Sequence, residues 1–226
     1  MDPDTCVTGG AGGAGGVFLH PPTRHARQSA PSRDAYSETR GNREDGVNGD
    51  AISSVSSVRL CRMAIKDGLL AEFDHEMGKT RKLLERVPEE KLSWKPHAKS
   101  MSLGGLGTHL ANIPYWGGRI MSDAFFDLAV SPPNVEEKRS RTDILAAFDE
   151  NTKQTRASLD KTDGEMMAPW ALRRGAHEMF SMPRVAAFRT FVLYHMVHHR
   201  GQLSVYLRLN DVPVPAIYGP SADEGS

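Results

Sequence analysis

The chain has 226 residues, with 28 basic and 28 acidic side chains, nine histidines and 39% apolar residues. That length suits one domain with a tail. The balanced charge argues against a nucleic-acid binder or a polybasic membrane-surface protein, and no stretch approaches the roughly 18–20 consecutive apolar residues of a spanning helix. Cys6 and Cys61 both precede Met63, which argues against a disulfide-stapled secreted fold and against a cysteine nucleophile in the remainder. A single-domain protein of the cytoplasm is the expectation.

Residues 1–62 read differently from the rest. They hold the pairs Gly9-Gly10, Gly12-Gly13 and Gly15-Gly16, no lysine, no tryptophan and no apolar periodicity. Such a segment buries too little apolar surface to offset the entropy of ordering it, and disorder is expected. Gly10 to Gly15 matches the letters of a dinucleotide-binding loop but lacks the strand and helix that loop requires. A secretory signal would need an apolar run, and a transit peptide should be poor in acids, whereas seven acids here cancel seven arginines. The abrupt change of composition at Met63 also fits a mis-assigned start. Residues 63–226 form the expected folded domain.

Four amphipathic segments follow. Leu70, Phe73, Met77, Thr80, Leu84 and Val87 recur at 3-4-3-4-3 spacing, a helix stripe stopped by Pro88. Ser102 is the expected N-cap of a second helix carrying Leu103, Leu106, Leu110 and Ile113 and running to about Ser122. A third opens near Arg141-Thr142-Asp143, places Leu145, Phe148, Thr152, Thr155 and Leu159 on one side, and ends at Thr162-Asp163-Gly164. The fourth starts close to Pro183 and continues to about Asn210, ahead of Val212-Pro213-Val214-Pro215. Strand patterns are nearly absent. An all-α four-helix bundle with long inter-helix connections is expected.

The fourth helix carries the chemistry. Its expected core stripe is Phe188, Val192, His195, His199, Gln202, Tyr206 and Leu209. At about 100° per residue, His195 and His199 lie about 40° apart, one turn above the other, and His198 falls about 60° to the far side of His195. On the second helix His109 sits between Leu106 and Leu110. A lone core histidine is ordinarily a packed, hydrogen-bonded residue. Two imidazoles interrupting one apolar stripe would each cost about 1–3 kcal/mol if unsatisfied, and one metal ion satisfies both. His20 and His25 in the leader, His75 off the first stripe, and His97 and His177 in loops are read as ordinary surface or loop residues.

Three stretches together resemble one family: Val87-Pro88-Glu89-Glu90-Lys91-Leu92-Ser93-Trp94-Lys95-Pro96, Ser102-Leu103-Gly104-Gly105-Leu106-Gly107-Thr108-His109-Leu110-Ala111, and above all His195-Met196-Val197-His198-His199-Arg200-Gly201-Gln202-Leu203. Ile217-Tyr218-Gly219-Pro220-Ser221 fits the same group. Over residues 63–222 the chain resembles the DinB family, the YfiT-like bundle proteins related to thiol-dependent S-transferases. The resemblance implies a four-helix bundle holding one divalent metal through His109, His195 and His199, transfer of a small thiol such as bacillithiol to an electrophile, and a possible homodimer. Zinc is the expected ion, with nickel and iron(II) the alternatives that imidazole ligands also suit.

Gln202, three residues beyond His199 on the same face, is expected to support a ligand or line the pocket, with His198 and Tyr206 beside it. No general base stands on the stripes, although Glu76, Asp149 or Glu150 could reach in from flanking positions. That favours thiol transfer, in which the metal lowers the pKa of the nucleophile, over a metal-dependent hydrolase of the same fold. A non-catalytic bundle with a structural or sensing metal is the other alternative; a closed structural site would ordinarily show four protein ligands, and three are found.

Overall fold

The computed structural model describes residues 63–130 and 136–225. The expected leader, with Cys6, Cys61, His20 and His25, lies outside the described residues.

Helix α1 spans Ile65–Leu84 and buries Leu69, Phe73, Met77, Thr80, Leu83 and Leu84. Helix α2 spans Leu103–Ser122 and begins as expected: the Ser102 hydroxyl accepts the Gly105 amide at 2.9 Å. Strand β1 (Phe125–Asp127) follows. Helix α3, Arg141–Ser158, is capped in the same way by Ser140, which accepts from the Asp143 amide at 2.9 Å. The short α4 (Asp163–Met167) starts in a capping box between Thr162 and Glu165. Strands β2 (Pro169–Arg174) and β3 (His177–Pro183) come next. The final helical run is α5 (Arg184–Phe188), a π segment (Arg189–Tyr194) and α6 (His195–Leu209).

The four long helices form the expected bundle, in which α1 and α2 each pack against both α3 and the final helical run. Phe73 of α1 meets Phe188 of α5 in the core, ring centroids 5.8 Å apart. Among the described residues, no helix is long and apolar enough to cross a membrane.

Two sequence expectations need correction. Strands are present: β1 pairs parallel with β2, and β2 antiparallel with β3. Their residues lie where only loops were expected, with Trp170 inside β2 and His177 opening β3. β1 has only three residues, and burial along β2 and β3 does not alternate, so none shows the pattern that marks a strand in sequence. The turn between them uses Gly175 at φ +59°, a conformation glycine adopts without a Cβ penalty. The Gly175 amide donates to Asp127 Oδ1 at 2.9 Å, fastening that turn to β1.

The second correction concerns the core stripe of the fourth helix. Beyond Leu193 the buried residues are Met196, Arg200, Leu203 and Leu207, each one position after the expected His195, His199, Gln202 and Tyr206. The π segment is the reason. Its i→i+5 bonding accommodates one extra residue, and one residue turns everything downstream by about 100° relative to an uninterrupted α-helix. The histidines therefore flank the buried stripe instead of occupying it.

Helix α2 is clamped by α3. Pro114 removes one backbone donor from the middle of α2, and α3 side chains bond the carbonyls around it: Asn151 Nδ2 donates to the Ala111 carbonyl at 2.9 Å, and the Thr155 hydroxyl donates to that of Pro114. Gly117 permits the close approach; a Cβ there would stand 2.6 Å from Thr155 Cγ2 and 2.8 Å from Phe188 Cε2. Gly201 on α6, by contrast, faces open space. Gly117→Ala should therefore destabilise the fold by about 1–3 kcal/mol, whereas Gly201→Ala should stabilise it by about 0.5–1 kcal/mol through helix propensity. Urea unfolding midpoints moving in opposite directions check both.

Candidate metal centre

Helices α2 and α6 bring three imidazoles together. His109 projects from the middle of α2, one turn before Pro114, and His195 and His199 come from successive turns of α6. His195 Nε2 lies 3.2 Å from His109 Nε2 and 2.8 Å from His199 Nε2. The ring centroids are 4.4–5.0 Å apart. One nitrogen from each residue falls within 4.8 Å of the others, so the three could hold a metal ion. Among the described residues this group contains no carboxylate and no thiol.

The second nitrogens decide which atoms present lone pairs. His199 Nδ1 lies 2.8 Å from Gln202 Oε1, an acceptor, so Nδ1 carries the proton and Nε2 the lone pair. His195 is hydrogen-bonded to the backbone of Phe191, which favours its protonated form; the ring thus donates to that carbonyl, and its Nε2 is also left with a lone pair. Two such nitrogens 2.8 Å apart repel each other unless a cation lies between them. Metal–nitrogen bonds of about 2.0–2.1 Å place ligand nitrogens roughly 2.9–3.4 Å apart at right-angled to tetrahedral geometry. The donor set suits a divalent ion; of the two separations, 3.2 Å falls within that range and 2.8 Å just below it.

All three rings are half-buried, and burial is the leading cause of their lowered basicity. His109 falls from 6.5 to about 3, through burial and then the neighbouring His199 and His195. His199 falls to about 4, through burial and then His195. His195 is lowered as well, burial outweighing the Phe191 hydrogen bond. The imidazoles are therefore neutral near pH 7, the form that ligates metals.

The other expected site residues are placed as follows. Gln202 bridges two histidines: besides its contact with His199, its Nε2 lies 3.1 Å from His198 Nε2. His198 is exposed and reaches the cluster through Gln202. Tyr206 stands two turns beyond His199, its ring meeting Trp94 edge-on at 5.5 Å. The carboxylates considered as bases are engaged elsewhere: Asp149 with Arg81, Glu150 with Gln154, and Glu76 with Arg200. Sequence reasoning missed the Phe191 carbonyl, because a main-chain acceptor carries no residue signature and the π turn around it has no sequence mark.

A helical bundle with a three-imidazole cluster between two of its helices is the class that fold and site define. The DinB family model matches residues 63–226, and the chain belongs to the DinB family. It is 27% identical over 159 residues to the uncharacterized protein YrdA of Bacillus subtilis (strain 168), covering 70% of this chain and 90% of that one. Among solved structures it is similar to a DinB-like protein from Bacillus cereus ATCC 10987, with TM-score 0.53 and 21% identity, covering 69% of this chain and 98% of that one. It is also similar to the DinB-like protein YjoA of Bacillus subtilis, with TM-score 0.50 and 21% identity, covering 65% and 95%. At that identity the likeness concerns the fold.

The lowered histidine values set a pH dependence. In the unfolded chain each imidazole takes up a proton below about 6.5, whereas the folded, metal-free protein keeps His199 and His109 neutral down to about 4 and about 3. The unfolded state binds more protons throughout that interval, so stability falls as pH drops below about 6.5. Chelator-treated protein should show a melting temperature that declines between pH 6.5 and 4.5, with a shallower decline in His109→Gln. A flat profile in the wild type would contradict the burial argument.

Proposed function

We propose that His109, His195 and His199 hold one divalent metal ion, zinc in the first instance, and that the site joins a small thiol to an electrophilic substrate. The observation that carries this reading is the convergence of imidazole Nε2 atoms with two second nitrogens tied down, by Gln202 and by the Phe191 carbonyl. Hydrogen bonds of that kind orient imidazole ligands and raise their affinity for metal. An ion bound there supplies a Lewis acid that lowers the pKa of a thiol to near neutrality.

The protein's own residues divide the remaining work. Burial keeps the three imidazoles unprotonated, so no ligand proton has to leave when an ion binds. Three protein ligands leave coordination positions for thiol or water, where a closed structural site would use four. The cluster holds no carboxylate among the described residues, and this supports thiol transfer over hydrolysis, which draws on a general base to activate water. In the reaction the thiol sulfur forms a bond to the electrophilic carbon, the leaving group departs with its electron pair, and the thiol proton passes to solvent.

The test has two layers. Elemental analysis should find about one metal ion per wild-type chain and a loss of most of it in His199→Ala, since a three-ligand site does not tolerate losing one. The metal-loaded protein should then conjugate low-molecular-weight thiols to monochlorobimane in a manner that depends on thiol, metal and His195. Full metal retention in His199→Ala would end the metal reading. Stoichiometric metal with no turnover for any thiol would end the transferase reading alone.

A further inference from the structure

Arg200 follows His199 in α6 and points about 100° away from it around the helix, into the buried side of the bundle. Its guanidinium is held on several sides. Nη1 donates to the Glu76 carbonyl at 3.1 Å and to Thr80 Oγ1 at 3.2 Å. Nη2 donates to Glu76 Oε2 at 2.5 Å and to the Tyr218 hydroxyl. That hydroxyl in turn donates to Glu76 Oε2 at 2.7 Å, and the guanidinium lies 5.0 Å from the centre of the Tyr218 ring. Every partner belongs to α1 or to the C-terminal segment.

That segment is itself pinned at its far end. Arg86 donates to Glu224 Oε1 at 2.7 Å, and Arg208 pairs with Asp223. The Asp223 and Glu224 carboxylates also accept the backbone amides of Val214 at 2.9 Å and Ala216 at 3.1 Å.

A buried ion pair is weak evidence for stability, because its desolvation offsets much of its attraction. What a planar guanidinium fork does supply is geometry. Geometry matters here, because α6 follows a π segment whose one extra residue offsets the rotation of α6 from the α-helical register upstream, so the facing of the histidines depends on where that residue is accommodated. Shifting the extra residue past the histidines would swing them about 100° away from His109.

We infer that the Glu76–Arg200–Tyr218 cluster is a positioning device that fixes the rotation of α6, so that His195 and His199 present their Nε2 atoms to His109, and that the C-terminal segment is part of the support of the metal site. The functional meaning rests on the metal-site reading, but the geometry can be tested without metal.

The experiment uses the full chain carrying Tyr218→Phe or Arg200→Lys, with two readouts. Imidazole proton–nitrogen spectra of the metal-free proteins report the histidine environments. Cobalt(II) titration reports affinity and, through its visible bands, geometry. In Tyr218→Phe the imidazole signals of His195 and His199 should shift, and cobalt affinity should fall by about tenfold or more, as for loss of a residue that orients ligands. Arg200→Lys should show larger changes in both.

Folded variants with wild-type imidazole signals and cobalt affinity within about twofold of wild type would overturn the inference. If Arg200→Lys fails to fold, Tyr218→Phe alone decides, since it removes one hydroxyl at a mostly exposed ring. If the wild type binds no cobalt, the metal reading fails, and the imidazole spectra still decide whether the cluster positions the histidines.

Discussion

A site built from two helices of a bundle depends on their mutual rotation and slide, because no covalent bond near the histidines sets either. His109 and His195 approach to 3.2 Å across the gap between α2 and α6, and a slip of one residue in either helix would carry a ring about 1.5 Å along the axis and about 100° around it. Packing of aliphatic side chains tolerates small slips; directional polar contacts do not. The fold places such contacts on both helices. Asn151 and Thr155 of α3 hold α2 at the carbonyls around Pro114. Arg184, at the start of α5, donates to the Ile120 and Asp123 carbonyls at the end of α2. Arg200 ties α6 to α1.

The electrostatics follow from that placement. Half-burial removes water that would stabilise an imidazolium, and neighbouring rings disfavour a charge on His109 and His199, so those two stay neutral well into the acid range; burial lowers His195 in the same direction. Neutral rings held with lone pairs inward have unfavourable contacts with one another and favourable ones with a cation. The arrangement that would make the cluster a ligand set is thus the one that makes it costly without an ion. Coupling of metal binding to folding is a general property of sites whose ligands are brought together by the fold.

Much of this was legible in the amino-acid sequence. The bundle was, because Phe73, Met77 and Thr80 on α1 and Leu106, Leu110 and Ile113 on α2 repeat at helical spacing, and because Ser102 and Arg141-Thr142-Asp143 stand where helices begin. The triad His109, His195 and His199 was also legible: an i, i+4 pair on one helix and a histidine on the apolar side of another need only the bundle to bring them together. The sheet was not, since β1 is only three residues long and burial along β2 and β3 does not alternate. Nor was the offset of the last helix. A 3.6-residue period drawn through Arg189–Tyr194 continues smoothly on paper, while the chain there makes a wider turn, so Arg200 and not His199 lies on the buried stripe. Glu76 misled in the same manner: as a letter it was a spare carboxylate, and in the fold it is the partner of Arg200.

The central claim is that one cation is bound by three imidazoles from two helices. X-ray absorption at the metal edge of the zinc-loaded full chain tests it most directly, because outer-ring scattering counts imidazoles independently of activity. The account predicts three imidazole nitrogens at about 2.0–2.1 Å, with the remaining coordination filled by lighter non-protein ligands such as water. Zinc bound by two imidazoles or fewer, or by sulfur, would contradict it.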